Sequence, residues 1–124
     1  MRTHRAECSA ATVEVPGFAD LTADIQAAVD ESGIGAGQVT IFSPDASCVL
    51  MLNERETGLL DDIRQTMARL GTPEPEQGRA LVGSTSVVVP AADGRLCLGT
   101  WQRVLLVELS APQKRNVVVQ IVGE

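Results

Sequence analysis

The sequence has very few aromatic and histidine side chains. Phe18, Phe42 and Trp101 are the only aromatic residues among 124, there is no tyrosine, and His4 is the only histidine. One chain therefore cannot build a site from several histidines, which excludes histidine-rich zinc sites and the H-E-x-x-H motif. Three aromatic side chains are too few for recognition of single-stranded nucleic acid by base stacking.

Basic charge is also scarce, since 10 Lys and Arg face 16 Asp and Glu and leave a net charge of −6. A field of that sign repels phosphate backbones and anionic membrane surfaces, so we expect neither nucleic acid nor membrane as a partner. The sequence has no apolar run of transmembrane length, and its first 14 residues lack the apolar stretch of a secretory signal.

Cysteine usage is sparse and odd in number. Cys8, Cys48 and Cys97 are widely spaced and form no C-x-x-C pair, so neither a disulfide scaffold nor a structural zinc site is expected. Three reduced thiols are typical of a cytoplasmic protein, which is the location we predict.

The chain is long and apolar enough, at 44% hydrophobic residues, for one domain over residues 1–124. Alternation predicts a strand at Thr12–Val15, and Thr22 is a candidate N-cap of a first helix that Gly33 closes in the left-handed conformation. The apolar face of that helix comprises Leu21, Ile25, Ala28 and Val29.

Two apolar runs, Val39–Phe42 and Cys48–Leu52, predict strands. A second helix is expected from about Thr57 to a stop at Gly71, followed by a surface loop over residues 72–78. The last 40 residues predict a β meander with a hairpin at Asp93-Gly94. The order of elements indicates an α+β fold, with both helices on one side of a largely antiparallel sheet.

Candidate chemistry is limited. The glycines of residues 33–37 follow a helix and precede a strand, which is the wrong context for a phosphate-binding loop. Glu54, next to Asn53 at a strand end, is either a base or metal ligand or a simple cap. Ser47 and Cys48 are nucleophile types with no base nearby in the sequence.

The segment Gly99-Thr100-Trp101-Gln102 places a glycine beside the only tryptophan, and we predict that it lies inside a strand. Two interpretations stay open at this point. Trp101 is either the wall of a shaped pocket or a core aromatic packed over a bulge.

The stretch from Asp93 to Gln102, D-G-R-L-C-L-G-T-W-Q, resembles the signature of the YjbQ-like family. Further matches extend over most of the chain: Asp20-Leu21-Thr22, the S-G-I-G-A-G run of residues 32–37, Asn53-Glu54, Glu108, and the V-V-V-Q-I-V-G ending at Gly123. The resemblance implies an α+β fold assembled as a homotrimer. It also implies a pocket near the subunit interface for a metal or an anion such as phosphate, and a weak ability to join the pyrimidine and thiazole halves of thiamine phosphate.

The departures from the family pattern fall on its site. Where the family reads P-H-T-T-A, this chain reads Pro44-Asp45-Ala46-Ser47-Cys48, so Asp45 replaces a histidine. A histidine-bearing loop is shortened at residues 71–78, and the D-G-P-R turn has become residues 110–113, S-A-P-Q. Arg115 and Lys114 are the basic residues left near that turn.

These observations predict a divergent member that keeps the trimeric framework with impaired or no thiamine-phosphate synthase activity. We expect Asp45 and Glu54 to be the catalytic candidates, and the candidate ligand-binding residues are Ser47, Asn53, Thr100, Trp101, Gln102 and Arg115. An alternative is an enzyme in which Asp45 and Glu54 hold a divalent cation such as Mg²⁺ and act on a small phosphorylated molecule. A third possibility is a structural or partner-binding trimer.

Overall fold

A computed structural model of the chain describes residues 1–70 and 82–124. The elements in chain order are β1 (Arg2–Ala11), β2 (Gly17–Asp20), α1 (Thr22–Ser32), β3 (Gly37–Phe42), β4 (Cys48–Glu54), α2 (Thr57–Leu70), β5 (Ser86–Ala92), β6 (Arg95–Leu96), β7 (Gln102–Glu108) and β8 (Lys114–Gly123). The predicted helix stop at Gly71 and the predicted loop over residues 72–78 lie outside the described residues.

The strands form two antiparallel sheets. The larger has the order β1-β8-β3-β5-β6 and the smaller has the order β2-β7-β4. The α+β class and the Asp93-Gly94 hairpin are confirmed, the latter with φ of 52° and 74° at the two turn residues. The predicted meander is wrong, because β7 leaves the larger sheet to pair with β2 and β4, and β8 returns between β1 and β3.

The N-terminus is a strand that the sequence analysis missed. β1 pairs with β8 along ten residues, from Arg2 opposite Gly123 to Ala11 opposite Lys114. The prediction of a strand at Thr12–Val15 is therefore wrong, since β1 ends before it. β1 is built from small and polar residues, so its own pattern is weak, and its place is set by the alternating buried valines of its partner.

Helix α1 buries the predicted face, because Leu21, Ile25, Ala28 and Val29 are all in the core. Gly33 follows it with φ of 69°, as expected. Thr22 is not the N-cap but the first helical residue, and its amide donates to the Asp20 carboxylate at 2.9 Å. The Thr22 hydroxyl instead accepts the amide of Val104, which ties the start of α1 to β7.

The two helices belong to different apolar clusters. α1 shares the main core with the inward residues of both sheets, such as Val119 of the larger sheet and Leu106 of the smaller one. Met67 of α2 packs in a second cluster with Val49 and Val107, which point out of the other face of the smaller sheet. The expectation that both helices cover one side of one sheet is wrong. Burial on both faces explains why β4 and β7 are nearly continuous apolar runs.

Across residues 1–70 and 82–124, neither helix has the length and apolar character that crossing a bilayer requires.

Strands β3 and β8 approach too closely at one end for a side chain. A Cβ atom on Gly37 would lie 2.1 Å from the Val122 carbonyl oxygen, which is backbone and cannot rotate away. A Cβ atom on nearby Gly35 would meet only the Glu124 carbonyl, at an ordinary 3.8 Å.

We expect Gly37→Ala to destabilise the fold by about 1–3 kcal/mol, because the new methyl group forces two paired strands apart. Gly35→Ala is the matched control and should unfold close to the wild-type midpoint. Urea unfolding followed by circular dichroism measures both. Equal midpoints for the two variants would show that the strand approach is not restrictive.

Candidate functional site

Arg115 and Glu108 form a buried ion pair where β7 ends and β8 begins. The Arg115 side chain is 7% exposed and the Glu108 side chain is fully buried. Arg115 Nε donates to Glu108 Oε1 at 2.8 Å and Nη2 donates to Oε2 at 2.8 Å. This two-pronged contact is the geometry in which guanidinium binds carboxylate best.

The third arm of the Arg115 guanidinium binds Asp45. Its Nη1 donates to Asp45 Oδ2, and the Asp45 side chain is 33% exposed at the protein surface. Asp45 Oδ1 also accepts the amide of Ser47 at 2.9 Å in the turn that leads into β4. The structure thus brings together three of the residues predicted from the sequence: Asp45, Ser47 and Arg115.

Glu108 is the centre of this group. Besides Arg115, its carboxylate accepts the Thr12 hydroxyl at 2.7 Å and the Ser110 amide at 3.3 Å. The Cys48 thiol lies 3.6 Å from Glu108 Oε2. We call these residues the Arg115 cluster: Thr12, Asp45, Cys48, Glu108 and Arg115.

The contacts within the Arg115 cluster shift the pKa values of Glu108 and Cys48. Burial alone raises the pKa of Glu108, but hydrogen bonds from Arg115, Thr12 and the Ser110 amide, together with the Arg115 charge, lower it to about 2. Burial and the negative charge of Glu108 raise the pKa of the Cys48 thiol to about 12. At neutral pH Glu108 is ionised and Cys48 is a protonated thiol, which is not a nucleophile.

Glu54 lies at the opposite end of β4 from Asp45. It pairs with Gln102, and Asn53 pairs with Arg103. The six residue steps from Cys48 to Glu54 span about 20 Å at the rise of an extended strand. Asp45 and Glu54 of one chain therefore cannot share a cation, which corrects that hypothesis for a single chain.

The described residues contain no group of three or more His, Cys, Asp or Glu side chains placed to hold a metal ion. The catalytic and ligand-binding roles of the individual sequence-predicted residues stay predictions.

Trp101 lies in a turn, so the prediction that it lies inside a strand is wrong. The Gln102 amide donates to the Gly99 carbonyl at 3.0 Å, and Gln102 Oε1 accepts the Gly99 amide at 2.8 Å. The indole is 72% exposed, so it is not a core aromatic, and its role as a pocket wall stays a prediction. Thr100 and Gln102 are exposed beside it.

Sequence reasoning missed Glu108 and Thr12 as members of a site. A signal was present for Glu108, because it ends the run V-L-L-V-E in a strand buried on both faces. A charge in such a run requires a partner. Thr12 carried no comparable signal, since it enters through a contact to a residue 96 positions away.

Fold and site together define a small α+β protein of two antiparallel sheets that a buried arginine–carboxylate cluster joins at one corner. The chain belongs to the UPF0047 or YjbQ-like family, whose model matches residues 6–124.

A UPF0047 protein of Archaeoglobus fulgidus is 34% identical over 113 residues, which cover 82% of this chain and 87% of that protein. A UPF0047 protein of Synechocystis is also 34% identical, over 81% of this chain and 79% of its own. A crystal structure of a protein of unknown function from Sulfolobus solfataricus, described as YbjQ-like, superposes with a TM-score of 0.90 at 27% identity over 99% of both chains.

We expect Arg115→Met to destabilise the fold by about 3–5 kcal/mol, because it leaves the Glu108 charge buried without its partner. Lys114→Met, an exposed neighbour in the same strand, is the matched control and should change stability by less than about 0.5 kcal/mol. Denaturant unfolding measures both. A wild-type midpoint for Arg115→Met would contradict the structural role of the cluster.

The folded-state pKa of Glu108 lies near 2, below its usual 4.5. The ionised carboxylate therefore contributes stability that is complete above about pH 4.5 and is lost as the pH falls toward 2. Glu108→Gln should reduce the slope of unfolding free energy against pH in that window, whereas exposed Glu54→Gln should leave it unchanged. Thermal melts from pH 6 downward test this, and equal slopes for the three proteins would refute it.

Proposed function

We propose that this chain is a ligand-binding member of its family that lacks thiamine-phosphate synthase activity. The observation that supports the proposal most is the pairing of Asp45 with Arg115. Asp45 stands where the resembled family carries a histidine. An imidazole exchanges protons near pH 7, whereas a carboxylate bound by a guanidinium serves as its counter-charge.

The surroundings of Glu54 support the same conclusion. Its side chain is exposed, and its carboxylate has no hydrogen bond or ion pair with the residues that the structure describes. General acid–base catalysis depends on a group whose proton affinity is tuned by burial or by charged neighbours. Glu54 is exposed, and its carboxylate is not held in an ion pair by any described residue.

The proposal includes a homotrimer. The outer face of the larger sheet carries apolar side chains that no other described element covers, with Phe42 42% exposed and Val88 54% exposed. Val118 and Val122 line a shallow cleft of about 540 Å³ on the same face. Exposed apolar area of this kind is typical of interfaces between protein chains.

This face also favours a second candidate function, a structural or partner-binding trimer with no small-molecule ligand. The two functions differ in their response to small molecules, since only a ligand-binding protein gains thermal stability when its ligand is added.

The purified protein should join the pyrimidine and thiazole halves of thiamine phosphate no faster than a protein-free control. Asp45→His alone should not restore the reaction, because the second histidine of the resembled family is missing as well. Product formation is followed by chromatography. A robust rate that Glu54→Ala abolishes would overturn the proposal.

In solution the protein should have three times the 13.1 kDa mass of a single chain. Val88→Glu should shift that mass downward, because it buries a charge in the interface. Val13→Glu is the matched control, since Val13 is 81% exposed and lies outside the sheets. Light scattering after size exclusion measures the mass. A wild-type monomer, or equal effects of the two substitutions, would contradict the assignment of this face.

A further inference from the structure

A cleft of about 410 Å³ lies between helix α1 and the β6 hairpin. Its lining includes Thr22, Gln26, Asp30, Arg95, Leu98 and Arg103. This volume is within the range of small-molecule sites. None of these residues belongs to the Arg115 cluster, and none was a sequence-predicted site residue.

The side chain of Gln26 joins the two walls of the cleft, helix α1 and the β6 hairpin. Gln26 Nε2 donates to the Gly94 carbonyl at 2.9 Å, and Gln26 Oε1 accepts the Leu96 amide at 3.0 Å. Helix α1 thus holds one backbone carbonyl and one backbone N–H of the hairpin. A ligand entering the cleft meets walls that are already in place, which lowers the ordering cost of binding.

Arg95 is a cation without a counter-charge. Its side chain is exposed in the cleft, and its guanidinium makes no hydrogen bond or ion pair with residues 1–70 or 82–124. Other exposed basic side chains, such as Arg69 and Lys114, also have no ion pair among the described residues, but Arg95 lines a cleft. Leaving it unpaired on a concave surface keeps all of its donors available to a ligand.

Arg103 supplies a second, oriented guanidinium. Its Nε donates to Asp20 Oδ2 at 2.7 Å, and Asp20 is 10% exposed. The Asp20 carboxylate fixes the guanidinium plane, while the two Nη groups have no partner among the described residues. Arg103 and Arg95 therefore present donors to one cleft from two different strands.

We propose that this cleft binds a small molecule through a phosphate monoester, with Arg95 and Arg103 as its ligands. Donors from two walls suit the diverging oxygens of a tetrahedral phosphate better than a planar carboxylate, which one guanidinium fork satisfies. Leu96 and Leu98 provide an apolar wall for the organic part. This assignment rests on the proposed ligand-binding function and specifies the class of its ligand. Its test measures binding and does not depend on the synthase assay.

Asp30 adds a negative charge to the lining of the cleft. Its carboxylate also lines the site and accepts Gln26 Nε2 at 2.9 Å, a bond that an asparagine side chain can retain. Its negative charge opposes an anion, so its neutralisation should strengthen phosphate binding.

The test is calorimetric titration of the full chain with inorganic phosphate at constant ionic strength. Arg95→Gln should weaken binding about tenfold, the loss expected for a charged hydrogen-bonding pair. Asp30→Asn should tighten it. Arg69→Gln removes an exposed arginine from the last turn of α2 and should leave the affinity unchanged.

Three results would overturn the proposal: no saturable binding of phosphate, an unchanged affinity in Arg95→Gln, or an equal loss in Arg69→Gln. Acetate is titrated in parallel. Acetate binding as tight as that of phosphate would assign the cleft to carboxylates instead. These readouts measure binding and not catalysis. Failure of the cleft proposal would appear as absent or unselective phosphate binding, whereas failure of the proposed function would appear as synthase activity in the purified protein.

Discussion

The ion pair between Arg115 and Glu108 holds the two sheets to each other at one corner. Arg115 belongs to the five-stranded sheet and Glu108 to the three-stranded one. Glu108 is fully buried, and such a carboxylate is tolerated only while its charge is compensated and its oxygens are bonded. Thr12 and the Ser110 amide complete that set of donors. The ends of β1, β7 and β8 are thereby fixed relative to one another.

This constraint explains what the aspartate at position 45 does. A buried pair of one guanidinium and one carboxylate leaves Arg115 with a free third arm, which Asp45 occupies from the turn before β4. A histidine at the same position could not supply a negative charge to that arm. Asp45 therefore extends the cluster by one more charge.

The elements with strong local signals were predictable. The apolar face of α1, the left-handed Gly33 and the Asp93-Gly94 hairpin each depend on residues close in sequence. The sheet assignment was not, because β7 is apolar on both faces and its sequence is compatible with either sheet. β1 was missed for the opposite reason, since a strand of small and polar residues takes its register from β8. Tertiary pairing decided both cases.

The candidate site was likewise only partly predictable from the sequence. Asp45 and Arg115 could be named from the sequence, but they are 70 positions apart, and their contact follows from the two sheets meeting. Asp45 and Glu54 are nine positions apart, yet an extended strand separates them by about 20 Å. Nearness in sequence was therefore the wrong guide for this pair of carboxylates. A fully extended strand places its two ends in different environments, so Asp45 belongs to a charged corner and Glu54 to an exposed edge.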